Sequence, residues 1–207
     1  MAMNESSKAL SPIQRTTKRI FDIGFSGVGL VLCMPVLVTA WAIASLDTRS
    51  NGFFFQERIG RNGMPFKLIK IKTMVLVEGV ETSITTADDC RITKIGRLLR
   101  KTKIDELPQL WNVLIGDMSF VGPRPDVAGY ADNLEGEDRL ILSIRPGITG
   151  PAAIKYRNEE EILARQENPV RYNDEVIWPD KIRINHEYIR NYSLLKDFLY
   201  ICKSIVG

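Results

Sequence analysis

The chain has 207 residues, a hydrophobic fraction of 44% and a formal net charge of +3. That length holds one ordinary domain, or a smaller domain with a membrane element, and the apolar share alone reveals no membrane. A single histidine, His186, leaves little for a histidine-based triad or zinc site. Cys33, Cys90 and Cys202 show no metal-ligand spacing, so they read as free thiols of a reducing compartment.

Met1 to Ser11 is polar and reads as a frayed end; residues 1–14 are taken as a flexible N-terminus. Positive charge is concentrated early: up to Lys72 there are ten basic residues against four acidic ones. That bias favours anionic lipid headgroups or phosphate ligands. From Ile23 to Leu46 no residue is charged, which passes the length test for a membrane span. The run is too long for a cleaved signal peptide. Pro35 lies near its middle, where a missing amide hydrogen kinks a helix. Lys18 and Arg19 precede it and Arg49, Arg58 and Arg61 follow, so both flanks claim the cytoplasmic side. A helix–break–helix that enters one leaflet and returns satisfies both flanks. A plain kinked transmembrane helix fits about as well, and a buried helix of a soluble protein fits less well.

Phe53 to Met74 reads as a β-hairpin with its turn at Gly60-Arg61-Asn62-Gly63. Strand alternation puts Lys70 and Lys72 on one face, where they can hold a diphosphate; a solvated strand face is the commoner use of such lysines. Val75 to Asp89 is a polar connection. Arg91 to Arg100 reads as a short helix with Ile92, Ile95, Leu98 and Leu99 inward. Asp105 starts the next helix, with Pro108 in its first turn, Leu107, Leu110, Trp111 and Leu114 as the buried stripe, and Gly116 at its end. In Gly122-Pro123-Arg124-Pro125 each proline restrains the residue before it, so Arg124 has little backbone freedom. Arg145 heads a second Pro/Gly turn running to Gly150. Glu159 to Gln166 is a short charged helix. Lys181 to Val206 is a longer amphipathic one, whose apolar face packs on the domain or lies in a membrane interface.

The adjacent acids Asp105 and Glu106 carry the chemical reading. Most aspartates at a helix start only cap it. Here the helix dipole with Arg100, Lys101 and Lys103 would keep the carboxylate ionised, and an ionised carboxylate attacks phosphorus. Glu106 can give an oxygen to a magnesium ion that also holds a diphosphate. Arg100, Arg124, Lys70 and Lys72 can bind phosphate oxygens.

The segments KRIFDI, the Pro35 run, FKLIKIKTM, GRLLRKTKIDELPQLWNVLIGDMSFVGPRP and RPGITG follow in that order. Together they resemble the monotopic phosphoglycosyl transferases, the bacterial sugar transferase family, from Lys18 to Ile205. The resemblance implies transfer of a phospho-sugar from a UDP-sugar to polyprenol phosphate on the cytoplasmic face of the bacterial inner membrane, with loss of UMP and a covalent phospho-sugar on an aspartate. It implies Asp105 as nucleophile, Glu106 assisting with Mg2+ or proton transfer, and Arg100 and Arg124 as phosphate contacts; Arg145, Lys70 and Lys72 complete the expected substrate-binding set, with Asp105 and Glu106 as metal ligands. It implies a re-entrant membrane helix over 15–48 broken at Pro35, and a cytoplasmic catalytic domain over 49–207. The resemblance is to the family's short form, for which no multi-span N-terminal region is expected. The fold expected is α/β and helix-dominated, with a β-hairpin and amphipathic interfacial helices. Membrane lipids are expected partners, nucleic acid is not, and homodimer formation is left open.

The chain departs from the family's pattern at Met34, where serine is common before the break. It departs again at Pro151-Ala152-Ala153, in a longer Glu159–Pro179 segment, and at Asn185, where an acid is common. No sugar is assigned. Two other readings are a non-catalytic monotopic scaffold, in which the acid pair only caps a helix, and a soluble nucleic-acid binder using the basic residues from Arg91 to Lys103.

Overall fold

The structure, a computed structural model, describes residues 9–75 and 89–206. Helices dominate: α1 (Pro12–Thr48), α2 (Lys94–Lys101), α3 (Gln109–Ile115), α4 (Pro151–Lys155), α5 (Glu159–Ala164), α6 (Pro169–Tyr172), α7 (Trp178–Arg190) and α8 (Leu194–Val206). The strands form two small sheets. β1 (Phe53–Ile59) pairs antiparallel with β2 (Pro65–Ile71), and β3 (Ser119–Val121) pairs parallel with β4 (Gly147–Thr149). The polar connection expected over Val75 to Asp89 lies, apart from its two end residues, outside the described residues.

α1 begins at Pro12, inside the stretch expected to be flexible, because Ser11 caps it. The Ser11 hydroxyl accepts from the Gln14 amide, and the Gln14 side chain accepts from the Ser11 amide at 2.8 Å. Leu10 is buried in the main core beside Val121, Ile144 and Ile182. The helix then runs without interruption through Pro35 and stops at Arg49, whose left-handed φ of 49° turns the chain. The break expected at Pro35 is therefore not a gap between two helices. Proline deletes one i→i−4 bond, and the helical conformation continues on both sides of it.

One stripe of α1 is tied to the rest of the molecule along its length. Lys18 pairs with Asp197 of α8. Arg19 donates to the carbonyls of Val113 and Leu114 at 2.6 and 2.7 Å. Asp22 accepts from the Ser119 hydroxyl at 3.0 Å and the Phe120 amide at 3.1 Å. Farther on, a Cβ at Gly29 would stand 3.4 Å from Leu110, and Ala40 and Ala44 pack with Ile71 and Leu99. At the C-terminal end the Gly52 amide donates to the Ser45 hydroxyl at 2.9 Å. The other side of the helix exposes Phe25, Val28, Val31, Leu32, Val36 and Val38. Among the described residues it is the one helix long and apolar enough to cross a membrane.

Several inward assignments are reversed. Ile95, Leu98 and Trp111 are exposed, and in α3 the buried side chains are Gln109, Leu110, Asn112 and Val113. Helical spacing identifies residues that share a face; it does not say what covers that face. The long C-terminal helix is two helices, broken at Asn191–Ser193, with the Ser193 hydroxyl accepting from the Lys196 amide at 3.2 Å. α8 then exposes Leu195, Phe198 and Leu199.

The expected turn after Arg145 is strand β4. The Gly147 amide donates to Pro123 at 2.8 Å and the Gly122 amide to Thr149 at 2.9 Å. The two backbones touch so closely that a Cβ on Gly147 would lie 2.2 Å from the Gly122 nitrogen.

Candidate active site

The acid pair sits on a turn between two short helices. α2 is capped by Thr93 and ends where the Thr102 hydroxyl donates to Leu98 at 2.9 Å. Lys103 then takes a left-handed φ of 58°, an unfavourable conformation for a side chain with a Cβ. It reverses the chain into a single 3-10 turn, Ile104–Glu106, that leads through Pro108 into α3. Asp105 is therefore not a helix cap. Pro108 holds the cap position of α3 and makes no side-chain hydrogen bond there. The buried Asn112 pins α3 to β2, donating to the Lys67 carbonyl at 2.8 Å and accepting from the Ile69 amide at 3.1 Å. That pin brings Lys70 of β2 up to the acid pair.

Asp105 is 6% exposed, and its Oδ1 is buried with no hydrogen-bond partner. Glu106 is well partnered: Arg124 Nη2 donates to its Oε1 at 2.5 Å, and Lys70 Nζ stands 3.7 Å from the same oxygen. The two carboxyls consequently behave differently. Burial, and then the adjacent Glu106 charge, push Asp105 up to about 6 against the pull of Lys70, Lys103 and Arg100. The basic neighbours expected to keep Asp105 ionised offset only part of the effect of burial. Burial also works against the Glu106 charge, but Arg124 and Lys70 outweigh it and hold Glu106 down at about 2. At pH 7 Asp105 is still ionised in a ratio of about ten to one, and Glu106 is fully charged. Burial and Arg124 pull the Lys70 ammonium down to about 8, against Glu106 and Asp105.

The other expected contacts divide. Arg100 is near enough to bear on Asp105, but its Nη2 is held by Glu160 at 2.5 Å while Nη1 is buried and unpartnered. Lys72 is not brought to the acid pair: it lies just past β2, with Nζ on the Ser50 hydroxyl at 2.8 Å near the end of α1. Arg145 is also elsewhere. It donates to the Gly116 carbonyl at 2.7 Å at the far end of α3, among Arg19, Arg61, Asp22 and Asp117. The register of the two sheets and the direction of α3 decide these outcomes, and neither is written in local spacing.

Several polar residues of the site were not singled out in the sequence. Asp126 follows the Arg124-Pro125 pair directly and is pushed up to about 6 by burial, against Lys181 and Arg58. Lys181 of α7 pairs with Glu159 of α5 at 2.7 Å, beyond Asp126. The restrained Pro-Arg-Pro run was the available signal for Asp126; nothing local marks Lys181. No group of three or more metal-ligating side chains occurs among the described residues. The adjacent acids still suit Mg2+, which takes one or two carboxylates and completes its shell with water and substrate phosphates. The unpartnered Oδ1 of Asp105 is an oxygen of that kind.

The bacterial sugar transferase family pattern matches residues 13–207. Exopolysaccharide production protein ExoY of Sinorhizobium fredii is 30% identical over 217 residues, covering 97% of this chain and 89% of the relative. The uncharacterized sugar transferase EpsL of Bacillus subtilis is 35% identical over 189 residues, 91% of this chain and 85% of the relative. The UDP-glucose:undecaprenyl-phosphate glucose-1-phosphate transferase of Escherichia coli is 36% identical over 208 residues, 96% of this chain but 42% of that longer relative.

Proposed function

The chain belongs to the bacterial sugar transferase family, and on that premise we propose that it moves a phospho-sugar from a UDP-sugar to polyprenol phosphate. The carboxylate of Asp105 attacks the sugar-bearing phosphorus; the bond from that phosphorus to UMP breaks, and UMP leaves with the electron pair. An oxygen of polyprenol phosphate then attacks the same phosphorus, freeing the carboxylate and forming polyprenyl diphosphate-sugar. The supporting observation is the contrast within the acid pair: Asp105 keeps a buried oxygen unpaired, while Glu106 is held by Arg124 and Lys70. A nucleophile needs that freedom, and a neighbour that orients cations around the phosphate needs the opposite. Lys70 and Arg124 present positive charge where the diphosphate gains negative charge. Arg100, with Nη1 unpartnered, adds a donor. Asp105 and Glu106 would hold Mg2+, which when bound neutralises charge on the diphosphate.

The reaction takes place at a membrane surface on this reading. α1 is about 55 Å long at the α-helical rise, against about 30 Å of bilayer hydrocarbon. Both of its ends are fastened to the same polar domain, through Lys18, Arg19 and Asp22 at one end and Ser45 and Ala44 at the other. A helix crossing the bilayer would have to take that domain with it. The exposed apolar face of α1 therefore dips into one leaflet and returns, bending at Pro35, while α2, α3 and α8 present Leu98, Trp111 and Phe198 at the interface. Both ends and the catalytic domain then share the cytoplasmic face.

Intact-protein mass spectrometry tests the chemistry. Detergent-solubilised protein with Mg2+ and a UDP-sugar, without polyprenol phosphate, gains the mass of one phospho-sugar and releases one UMP. Asp105→Asn gains none. UMP release that requires polyprenol phosphate, with no adduct at any time, would replace the two-step reaction by direct transfer.

A further inference from the structure

Gln109 is 2% exposed, its Nε2 has no hydrogen-bond partner, and its side chain bonds to no described residue. A buried amide left unpaired costs about 1–3 kcal/mol, and most buried polar groups avoid it. Two further buried atoms are unpartnered in the same part of the molecule: Oδ1 of Asp105 and Nη1 of Arg100.

The backbone places Gln109 with the acid pair. Hydrogen bonds from the Leu107 amide to Ile104, Leu110 to Leu107 and Trp111 to Pro108, each spanning three residues, link the 3-10 turn through Pro108 to the start of α3. Gln109 opens α3 four residues after Asp105, and residues 109 and 112, three apart within α3, share one side of that helix. All three are buried. That side of α3 meets β2, where Asn112 is fixed to Lys67 and Ile69, and Lys70, next along β2, bears on Asp105. Gln109 lies between Asp105 and Asn112 in the chain.

Two donors and an acceptor between residues 100 and 109 are thus left unsatisfied, and they do not satisfy one another. A phosphoryl group answers all three at once: its non-bridging oxygens accept from an amide and a guanidinium, and its phosphorus takes the carboxylate oxygen. We propose that Gln109 is a further catalytic residue, its side-chain amide donating to one non-bridging oxygen of the phosphoryl group while that group is transferred to and from Asp105. The inference rests on the phosphoryl-transfer reading above. Charge on that oxygen is stabilised by a donor already in place, as in an oxyanion hole.

The test uses the full chain in detergent with Mg2+ and polyprenol phosphate, Gln109→Met, and whichever of UDP-glucose, UDP-galactose, UDP-N-acetylglucosamine and UDP-N-acetylgalactosamine the wild type turns over. Methionine keeps the length and removes the donor. Removing one such donor is expected to lower kcat about 100-fold with KM changed little. The melting temperature should stay level or rise, because an unpaired buried amide is exchanged for an apolar group. The decisive probe is the same donor with sulfur at one non-bridging position of the transferred phosphoryl group, each diastereomer separately. The wild type should be slowed selectively by one diastereomer, and Gln109→Met should lose that selectivity. Selectivity retained in Gln109→Met, or a kcat loss that follows a fall in melting temperature, would overturn the inference while leaving the proposed reaction standing. UMP release by the wild type with no phospho-sugar carried on Asp105 at any time would overturn both.

Discussion

Replacing Glu106 by glutamine keeps the shape of the side chain and removes its charge, leaving Arg124 and Lys70 facing a neutral group. Glu106 lies at about 2 in the folded protein against an ordinary 4.5. At about 1.4 kcal/mol per unit, that shift corresponds to an upper limit of about 3.4 kcal/mol at neutral pH. Arg124 is 42% exposed, so solvent screens part of this and about 2 kcal/mol is the expected loss in Glu106→Gln. For a chain of this size that lowers the melting temperature by about 4–8 °C. The sign follows from the depressed pKa: the contribution is complete above about 4.5 and disappears as the pH falls toward 2. Linkage with these values leaves less than half of it at pH 3. Paired melts of wild type and Glu106→Gln in one detergent, from pH 3 to pH 8, read the difference directly. A gap that does not narrow on acidification would refute the assignment of Arg124 and Lys70 as the charges holding Glu106.

Asp105 is pushed in the opposite direction, so it loses its negative charge earlier as the pH falls; adduct formation without polyprenol phosphate should drop about tenfold per unit below about pH 6, followed by mass spectrometry in single-turnover mixing. Lys18→Met strands the carboxylate of Asp197, which is 1% exposed, and should destabilise the protein by about 3–5 kcal/mol; Lys18→Met with Asp197→Leu should recover much of the loss in thermal melts. Gly147→Ala forces a Cβ to 2.2 Å from the Gly122 backbone, so detergent-extracted monodisperse protein should be lost, whereas Ala153→Gly should leave it intact.

Particular residues show where local reading works. The αL conformations at Asn62 and Gly116 fall where Asn and Gly mark a turn and a helix end, because those residues tolerate positive φ. Lys103 also takes positive φ, and nothing in its side chain announces it; packing of α2 against α1 and β2 imposes that reversal. Leu98 and Leu99 are adjacent leucines in one short helix, yet only Leu99 is buried. Periodicity placed both inward because apolar spacing marks a face without saying what covers it.

The sequence by itself determined the chemistry on offer: an acid pair in a basic setting, an arginine restrained by prolines, and an uncharged run flanked by positive charge. These follow from residue type and covalent order, which are local. Only the tertiary structure decided which charges meet. Lys70 reaches Glu106 because Asn112 locks α3 to β2, while Lys72, two residues along, ends on Ser50. It also decided that α1 is fastened at both ends and that Asp105, rather than Glu106, keeps an unpaired oxygen. Burial and long-range pairing set these outcomes. They depend on distances between segments far apart in the chain, which no local spacing encodes.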